Sequence, residues 1–218
     1  MVRMGSFHRR LLALLNVRHE IVVLNQTDNW RFNRASLINV GWFEADRIGC
    51  DYLVMHDVDL LPMNPALMYT FPQAGTVRHI ASPEYHPKYN YSKFVGGILM
   101  LTMEDFKTIN GMSNKYWGWG LEDDEFYLRL RDAHLVIDRP RELYTDRETT
   151  FRHLHGSERR RDFTRHRNGW KQEREEKRKR DLRGGLNQTQ YQIKERSFLD
   201  IGSYRVRIIH VELKCDTK

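Results

Sequence analysis

The sequence predicts an α/β domain with a mixed, mainly parallel β-sheet. A strand–helix–strand pattern within residues 21–55 is the unit from which parallel sheets are built, and further short apolar runs follow it along the chain. The chain has 218 residues, the size of one ordinary domain, and its 40% hydrophobic content is sufficient for a conventional core. We therefore expect residues 1–218 to form a single domain.

Three consecutive segments predict the strand–helix–strand unit. Residues 21–24 (Ile-Val-Val-Leu) form a β-branched apolar run that indicates a buried strand. Asn33 is a candidate N-cap for a helix that extends to about Asp46. Residues 52–55 (Tyr-Leu-Val-Met) predict a second buried strand. The apolar positions of the helix are Leu37, Ile38, Val40, Trp42 and Phe43.

The remaining elements are predicted from shorter patterns. Residues 80–82 and 98–101 are apolar runs typical of buried strands, and residues 123–131 predict a helix. Residues 204–211 alternate in their first half and predict a final strand near the C-terminus. At the other end, residues 1–16, whose apolar stretch is residues 11–15, favour an amphipathic helix over a signal peptide.

Composition excludes several classes of protein. No apolar run approaches the roughly 20 residues that span a bilayer. Two cysteines, Cys50 and Cys215, are too few for a disulfide-dense scaffold or a four-cysteine zinc site. The net charge is +7, and residues 156–183 carry most of it, with 12 Lys/Arg against 6 Asp/Glu. This basic segment is typical of a solvated helix with i,i+4 ion pairs, and the alternative is a site for a polyanion.

Asp57 and Asp59 form the first candidate site. They directly follow a predicted buried strand, where ligands of open α/β sheets bind. In an extended chain the two side chains leave on opposite sides, so that one can face a sugar while the other meets a metal. Hard oxygen ligands suit Mg²⁺ or Mn²⁺, and the alternative is an acidic turn.

Four consecutive acidic residues, Glu122 to Glu125, form the second candidate site. An acid-rich first helical turn accounts for them, because the helix dipole favours anions there. It does not account for the preceding Trp117-Gly118-Trp119-Gly120, in which tryptophan faces and close backbone approach suit a sugar. A carboxylate beside such a platform can act as a general base toward a sugar hydroxyl.

His153 and His155 form the third candidate site, because residues two apart lie on one face of an extended strand. Together with one carboxylate, two imidazoles leave positions open on an octahedral ion, and nitrogen ligands favour Mn²⁺ over Mg²⁺. Two smaller features accompany this pattern: Tyr89 and Tyr91 can contact a sugar or be surface tyrosines, and Gly96-Gly97 marks a bulge or a close approach of a ligand.

These motifs, in this order, resemble the beta-1,4-galactosyltransferase family. The matching segments run from about Ile21 to Cys215, nearly the whole chain, and within the family the pattern Phe151-Arg152-His153-Leu154-His155 resembles the branch that acts on xylosylated proteins. The segments are Phe32-Asn33-Arg34-Ala35, Asp57-Val58-Asp59, Gly96-Gly97, Trp117 to Asp124 and His153-Leu154-His155.

The resemblance implies a GT-A-like nucleotide-sugar-binding fold and a role for each matched residue. Asp123 is the implied catalytic base, and Asp59, His153 and His155 are the implied Mn²⁺ ligands. The implied donor-binding residues are Phe32, Arg34, Asp57, Gly97 and Trp119; the implied acceptor-binding residues are Tyr89, Tyr91, Trp119, Glu122 and Asp123.

The resemblance also implies an inverting, Mn²⁺-dependent transfer of galactose from UDP-galactose to the 4-hydroxyl of xylose on proteoglycan core proteins. The alternatives are a GlcNAc-type acceptor, an inactive sugar-binding relative, and a nucleic-acid-binding protein. We expect no nucleic-acid partner, because that interpretation leaves the acidic and histidine motifs unexplained. The family's first strand and membrane anchor have no counterpart here, so we expect a catalytic domain shortened at both ends, from a single-pass protein of the Golgi lumen.

Overall fold

The structure, a computed structural model, describes residues 17–163, 179–202 and 204–215. Three helices, a 3-10 turn and nine strands lie within these residues. The elements in chain order are β1 (Val22–Gln26), α1 (Arg34–Arg47), β2 (Tyr52–His56), β3 (Leu60–Pro62), β4 (Thr76–His79), β5 (Ile98–Thr102), α2 (Met103–Thr108), α3 (Glu122–Asp132), β6 (Val136–Asp138), β7 (Phe151–His153), the 3-10 turn (Leu186–Gln188), β8 (Tyr191–Ile201) and β9 (Tyr204–Leu213).

The described strands form three hydrogen-bonded sheets, in the orders β1-β9-β8, β2-β5-β4-β6 and β3-β7. The predicted α/β class and mixed sheet are confirmed, but the expectation of a mainly parallel sheet is wrong. Only β1–β9 and β4–β6 are parallel pairs in the described part of the chain, whereas β2–β5, β4–β5, β3–β7 and β8–β9 are antiparallel. The physical reason is that β5 runs between β2 and β4 in the opposite direction.

Helix α1 begins where its cap predicts. The side chain of Asn33 accepts a hydrogen bond of 2.9 Å from the backbone N–H of Ser36, which satisfies one of the free donors of the first turn. The helix connects β1 to β2 as expected, but those two strands lie in different sheets. The reason is that β1 pairs with β9, from the end of the chain, instead of with β2.

Other predictions have mixed outcomes. The strands at residues 52–55, 98–101 and 204–211 and the helix at residues 123–131 are confirmed. The strand expected at residues 80–82 is wrong, because β4 ends at His79 and residues 80–82 form a turn and loop. No helix occurs in the described parts of the basic segment, residues 156–163 and 179–183; its centre and residues 11–15 lie outside the described residues.

Apolar packing holds the sheets and helices together. The loop after β2 and the start of α3 lie close to each other, because Arg34 bonds to both Asp57 and Asp123. The largest buried cluster joins α1, α2 and α3 to β5, with Phe106, Phe126 and Leu101 fully buried. A second cluster, around Leu60, Ile98 and Phe151, packs β3 and β7 against β5. Among the described residues, no helix has the length and hydropathy that a membrane span requires.

Candidate active site

A short antiparallel ladder brings the first and third predicted motifs together. In β3 and β7, Leu60 pairs with His153 and Pro62 with Phe151. The ladder continues beyond the strands, because the N–H of Leu154 donates to the carbonyl of Asp59 at 2.7 Å. Asp59 therefore lies beside the histidine segment, although about 95 residues of chain separate them.

Asp59, His153 and His155 form one compact cluster. Nδ1 of His155 lies 2.9 Å from Oδ2 of Asp59, and Nε2 of His153 lies 3.4 Å from the same oxygen. The two imidazole rings are stacked, with centroids 5.6 Å apart and an interplanar angle of 14°. One ligand atom from each residue falls within 4.8 Å of the others. Burial alone would raise the pKa of Asp59, but the hydrogen bond from His155 and the charges of both histidines lower it.

This cluster fits a divalent transition-metal ion. One carboxylate oxygen and two imidazole nitrogens, all partly exposed on one side, match the oxygen and nitrogen donors that Mn²⁺ accepts. Three protein ligands leave coordination positions for a further ligand. Within the described residues, this is the group of His, Cys, Asp and Glu side chains whose geometry suits a metal ion.

Arg34 forms the second part of the site. Its guanidinium donates to Oδ1 of Asp57 at 2.9 Å and to Oδ1 of Asp123 at 3.0 Å, and it lies 4.0 Å from Glu122. Burial opposes the charge of Arg34, but Asp57 and Asp123 raise its pKa. The resemblance assigned Arg34 to the nucleotide, whereas here its side chain joins two of the predicted carboxylates.

The acidic run divides at the start of α3. Glu122 and Asp123 face Arg34, and burial and mutual repulsion raise the pKa of Glu122. Burial also raises the pKa of Asp123, although the charge of Arg34 opposes it. Glu125 is fully buried and accepts from Arg129 at 2.8 Å and Arg180 at 3.0 Å, so its role is structural.

Gly96 and Gly97 lie between the two parts of the site, and each position requires glycine for a different reason. A side chain at Gly96 would meet Oδ2 of Asp123, so this glycine gives that carboxylate its space. Gly97 has φ of +79°, and a Cβ there would lie 3.0 Å from the side chain of Leu60. The carbonyl of Gly97 accepts from the N–H of Asp57 at 2.9 Å. Close packing requires these glycines.

The two tryptophans of the Gly/Trp loop have different environments. Trp117 is buried in the core beside β9, whereas Trp119 is 36% exposed at the site. The N–H of Trp119 donates to the carbonyl of Asp162 at 3.0 Å, and buried Arg31 donates to the carboxylate of that residue at 2.7 Å. This clamp fixes the backbone of Trp119. The side chain of Phe32 is 55% exposed, and its backbone carbonyl accepts a hydrogen bond from the N–H of Gly118.

The tyrosine loop packs on the ring of Phe94 and is held by His86, a residue that the sequence patterns missed. The rings of Tyr89 and Tyr91 lie 5.0 and 5.6 Å from that of Phe94. Nδ1 of buried His86 accepts the N–H groups of Lys88 and Tyr89, both at 3.0 Å, and burial lowers the pKa of His86 to about 4. In the sequence, Pro87 directly after His86 indicates a turn at this point.

The arrangement supplies the groups that transfer of a sugar requires. It combines a candidate metal centre, a partly buried carboxylate with a raised pKa and exposed aromatic rings, and Arg34 joins that carboxylate to Asp57, two residues from Asp59. Such a carboxylate can accept a proton from a hydroxyl, and the aromatic faces suit the C–H faces of a sugar. An α/β fold with these groups defines the class of metal-dependent glycosyltransferases.

Comparisons with known proteins narrow this class. Residues 4–72 match the family model described as the N-terminal region of glycosyl transferase group 7, and residues 76–154 match one described as the N-terminal domain of galactosyltransferase. The chain is 61% identical over 201 residues to a Caenorhabditis elegans xylosylprotein 4-beta-galactosyltransferase, covering 92% of this chain and 69% of that protein. The chain belongs to the beta-1,4-galactosyltransferase family.

Other relatives agree. Human beta-1,4-galactosyltransferase 7 is 47% identical over 95% of this chain, which spans 62% of the human protein's length. A crystal structure of an aspartate-to-asparagine mutant of Drosophila beta-1,4-galactosyltransferase 7, in complex with manganese, UDP-Gal and xylobiose, superimposes with a TM-score of 0.90 at 45% identity. That comparison covers 99% of this chain and 89% of the Drosophila chain.

Proposed function

We propose that this chain is the catalytic domain of an inverting enzyme that transfers galactose from UDP-galactose to the 4-hydroxyl of xylose on proteoglycan core proteins. The observation that carries the proposal is the convergence of Asp59, His153 and His155 in one cluster, next along the chain to Asp57, which Arg34 joins to Asp123. The relatives support the substrates: one is named for xylosylprotein, and the Drosophila complex contains UDP-Gal and xylobiose.

Asp59, His153 and His155 are the residues that would hold Mn²⁺. A bound divalent ion supplies positive charge that stabilises the diphosphate of the departing nucleotide. The protein's contribution is to hold these three side chains before the ion binds. The β3–β7 ladder aligns the backbones of Asp59 and His153, and the short contact between His155 and Asp59 orients that imidazole.

Asp123 is the proposed general base. It accepts the proton of the xylose 4-hydroxyl as that oxygen attacks C1 of galactose from the side opposite the diphosphate, so a single displacement inverts the configuration. The charge of Arg34, 3.0 Å away, opposes the effect of burial on the pKa of this carboxyl and so favours its ionised form. Gly96 leaves room for the hydroxyl beside Oδ2 of Asp123.

The remaining proposed site residues orient the two sugars. Trp119, held by the Asp162 clamp, presents an exposed ring to both sugars, and Glu122 with Tyr89 and Tyr91 surrounds the xylose. Phe32 and Gly97 lie on the donor side, together with Arg34 and Asp57. Because Arg34 is already bonded to two carboxylates, we assign it chiefly to orienting Asp57 and Asp123.

We further propose that the protein acts in the lumen of the Golgi, where proteoglycan linkers are extended. The main alternative acceptor is GlcNAc. The His-x-His pattern and the relatives named above support xylose.

The test is a turnover assay of this chain with UDP-galactose. We expect transfer to a β-xyloside in the presence of Mn²⁺, little transfer after chelation with EDTA, and little transfer to a GlcNAc glycoside. Transfer to GlcNAc at a rate equal to or above that with the xyloside would exclude the proposed acceptor. Failure to bind UDP in the presence of Mn²⁺ would exclude the proposed donor.

A further inference from the structure

We propose that Lys88, Arg159, Arg160 and Arg161 form a docking surface for acidic residues of the polypeptide that carries the xylose. We name these four residues the basic rim. The inference rests on the proposed function, since it assigns a partner to the same acceptor site. It extends that function from the sugar to the protein around it.

The basic rim borders the proposed acceptor platform. The guanidinium of Arg161 lies 5.0 Å from the centroid of the Trp119 ring, and the ammonium of Lys88 lies 5.7 Å from that of Tyr89. Arg161 and Lys88 belong to distant parts of the sequence, yet they are close enough that burial and then the positive charge of Arg161 lower the pKa of Lys88. The two cations therefore flank the aromatic rings proposed to hold xylose.

The positions of Arg159 and Arg160 along the chain keep both residues close to the acceptor platform. They lie between His155, in the candidate metal cluster, and Asp162, which Arg31 clamps beside Trp119. Both are exposed, and their backbone lies within about 11 Å of Asp162, since one residue spans at most about 3.6 Å. Their side chains extend into solvent next to the acceptor platform.

The rim carries a net positive charge, because its four cations outnumber the acidic groups beside them, Glu158 next to Arg159 and Asp59, whose charge acts on Lys88. In the described ranges of the chain, none of its four cations forms an ion pair with a carboxylate, although many arginines elsewhere do. Like charges held together without counterions repel each other, and an anionic ligand relieves that repulsion. The site inside the rim has the opposite sign, because Asp57, Glu122 and Asp123 surround Arg34.

This distribution favours an acidic polypeptide over other anions. A neutral xylose fits the aromatic platform, and the rim lies where the chain flanking the xylosylated residue leaves the site. Asp and Glu side chains there meet four positive charges at the edge of the site, outside its acidic interior. Electrostatic complementarity of this kind raises the association rate and selects among partners.

Two xylosylated peptides of identical length test the proposal, one with Asp and Glu around the xylosylated serine and one with Asn and Gln in their place. A neutral benzyl β-xyloside serves as the third acceptor. At low salt we expect kcat/KM for the acidic peptide to exceed that for the amide peptide by about three- to tenfold, and the difference to shrink in 0.5 M NaCl.

The charge reversals Lys88→Glu and Arg159→Glu/Arg160→Glu should abolish this preference and leave turnover of the benzyl xyloside and KM for UDP-galactose nearly unchanged. Lys107→Glu is the charge-matched control and should keep the preference. Lys107 is exposed on α2, which follows the end of β5 that is farther from Gly97. Anisotropy of fluorescent peptides measures the same difference in binding without turnover, so it remains informative if transfer to xylose itself fails.

A wild-type protein that does not distinguish the two peptides would overturn the proposal. So would reversal variants that keep the preference. A rise in KM for UDP-galactose with all three acceptors would instead assign the basic rim to the donor diphosphate.

Discussion

Arg34 and Asp123 lie 89 residues apart in sequence and form an ion pair of 3.0 Å at the centre of the site. The pair matters because Asp123 is partly buried, and burial alone favours a protonated carboxyl that cannot accept a proton. Arg34 offsets part of that effect and also holds Asp57. One cation thus holds together Asp57, proposed to face the donor, and the proposed base.

Asp123→Asn should lower kcat by at least about a hundredfold, because an amide cannot accept the proton of the acceptor hydroxyl. Calorimetric binding of UDP in the presence of Mn²⁺ should stay close to that of the unsubstituted protein. Asp46→Asn, the same change at an exposed position of α1, is the control and should leave kcat unchanged. Near-normal turnover by Asp123→Asn would remove this residue from the role of base.

His155→Ala should weaken Mn²⁺ binding at least about tenfold, because it removes one of three donors and leaves Asp59 without its 2.9 Å contact. Titration of the protein with Mn²⁺, with the free ion followed by electron paramagnetic resonance, measures the change directly. The control is His19→Ala, at an exposed histidine that contacts the carbonyl of Val17. Equal affinity of both variants for Mn²⁺ would contradict the proposed ligand set.

Gly96→Ala should reduce kcat at least about tenfold without unfolding the protein, because the added methyl group would meet Oδ2 of Asp123 and lie 2.7 Å from the ring of Phe94. Gly41→Ala is the matched control. Gly41 lies inside α1, and its added methyl group would make an ordinary contact of 3.4 Å with the side chain of Leu24 in β1. We therefore expect unchanged activity and up to about 1 kcal/mol of added stability. Steady-state kinetics and thermal unfolding distinguish the two outcomes.

The stability of the fold should depend on Glu44 between pH 4.5 and 2. Arg196 donates two hydrogen bonds to Glu44, of 2.7 and 3.0 Å, which tie β8 to α1. The hydrogen bonds from Arg196, opposed by burial and aided by Arg47, lower the pKa of Glu44 from 4.5 to about 2. Because the folded-state pKa is lowered, the stabilisation is complete above pH 4.5 and is lost as the pH falls toward 2.

Arg196→Gln should therefore lower the free energy of unfolding at pH 7 by about 1–2 kcal/mol, since exposure of Arg196 screens part of the interaction. It should also flatten the decline in stability below pH 4.5. Urea unfolding at several pH values measures both effects. Arg205→Gln breaks an ion pair with Asp200 in which both side chains are exposed, and it should cause no measurable change. Equal effects of the two substitutions would refute the assignment.

Local signals predicted the elements that local interactions stabilise. Helix α1 starts at its Asn33 cap, and the apolar runs at residues 52–55 and 98–101 are strands because both are apolar enough to pair in a core. The strand expected at residues 80–82 failed for a non-local reason. The strand forms at residues 76–79 instead, because Arg78 and His79 pair with β5 and Thr76 pairs with β6. Ile80 and Ala81 are buried in the loop that follows.

Long-range relationships explain what the sequence could not predict. Strand β8 is half-exposed and rich in charged residues, so its formation depends on β9. The hydrogen bonds of Arg34 to Asp57 and Asp123 join residues that are 23 and 89 positions apart and share no common motif. The sequence shows which residue types are suited to metal binding and proton transfer. Only the folded structure shows how their side chains are oriented relative to one another.

The three-residue ladder between β3 and β7 has a consequence for biosynthesis. Leu60 meets His153 only after most of the polypeptide has left the ribosome, so a nascent chain that ends before β7 carries a lone Asp59 and no chelating centre. Assembly of the proposed ion-binding pocket is thus a late event in translation, and prematurely terminated products would be inert toward manganese even where their early helices had formed.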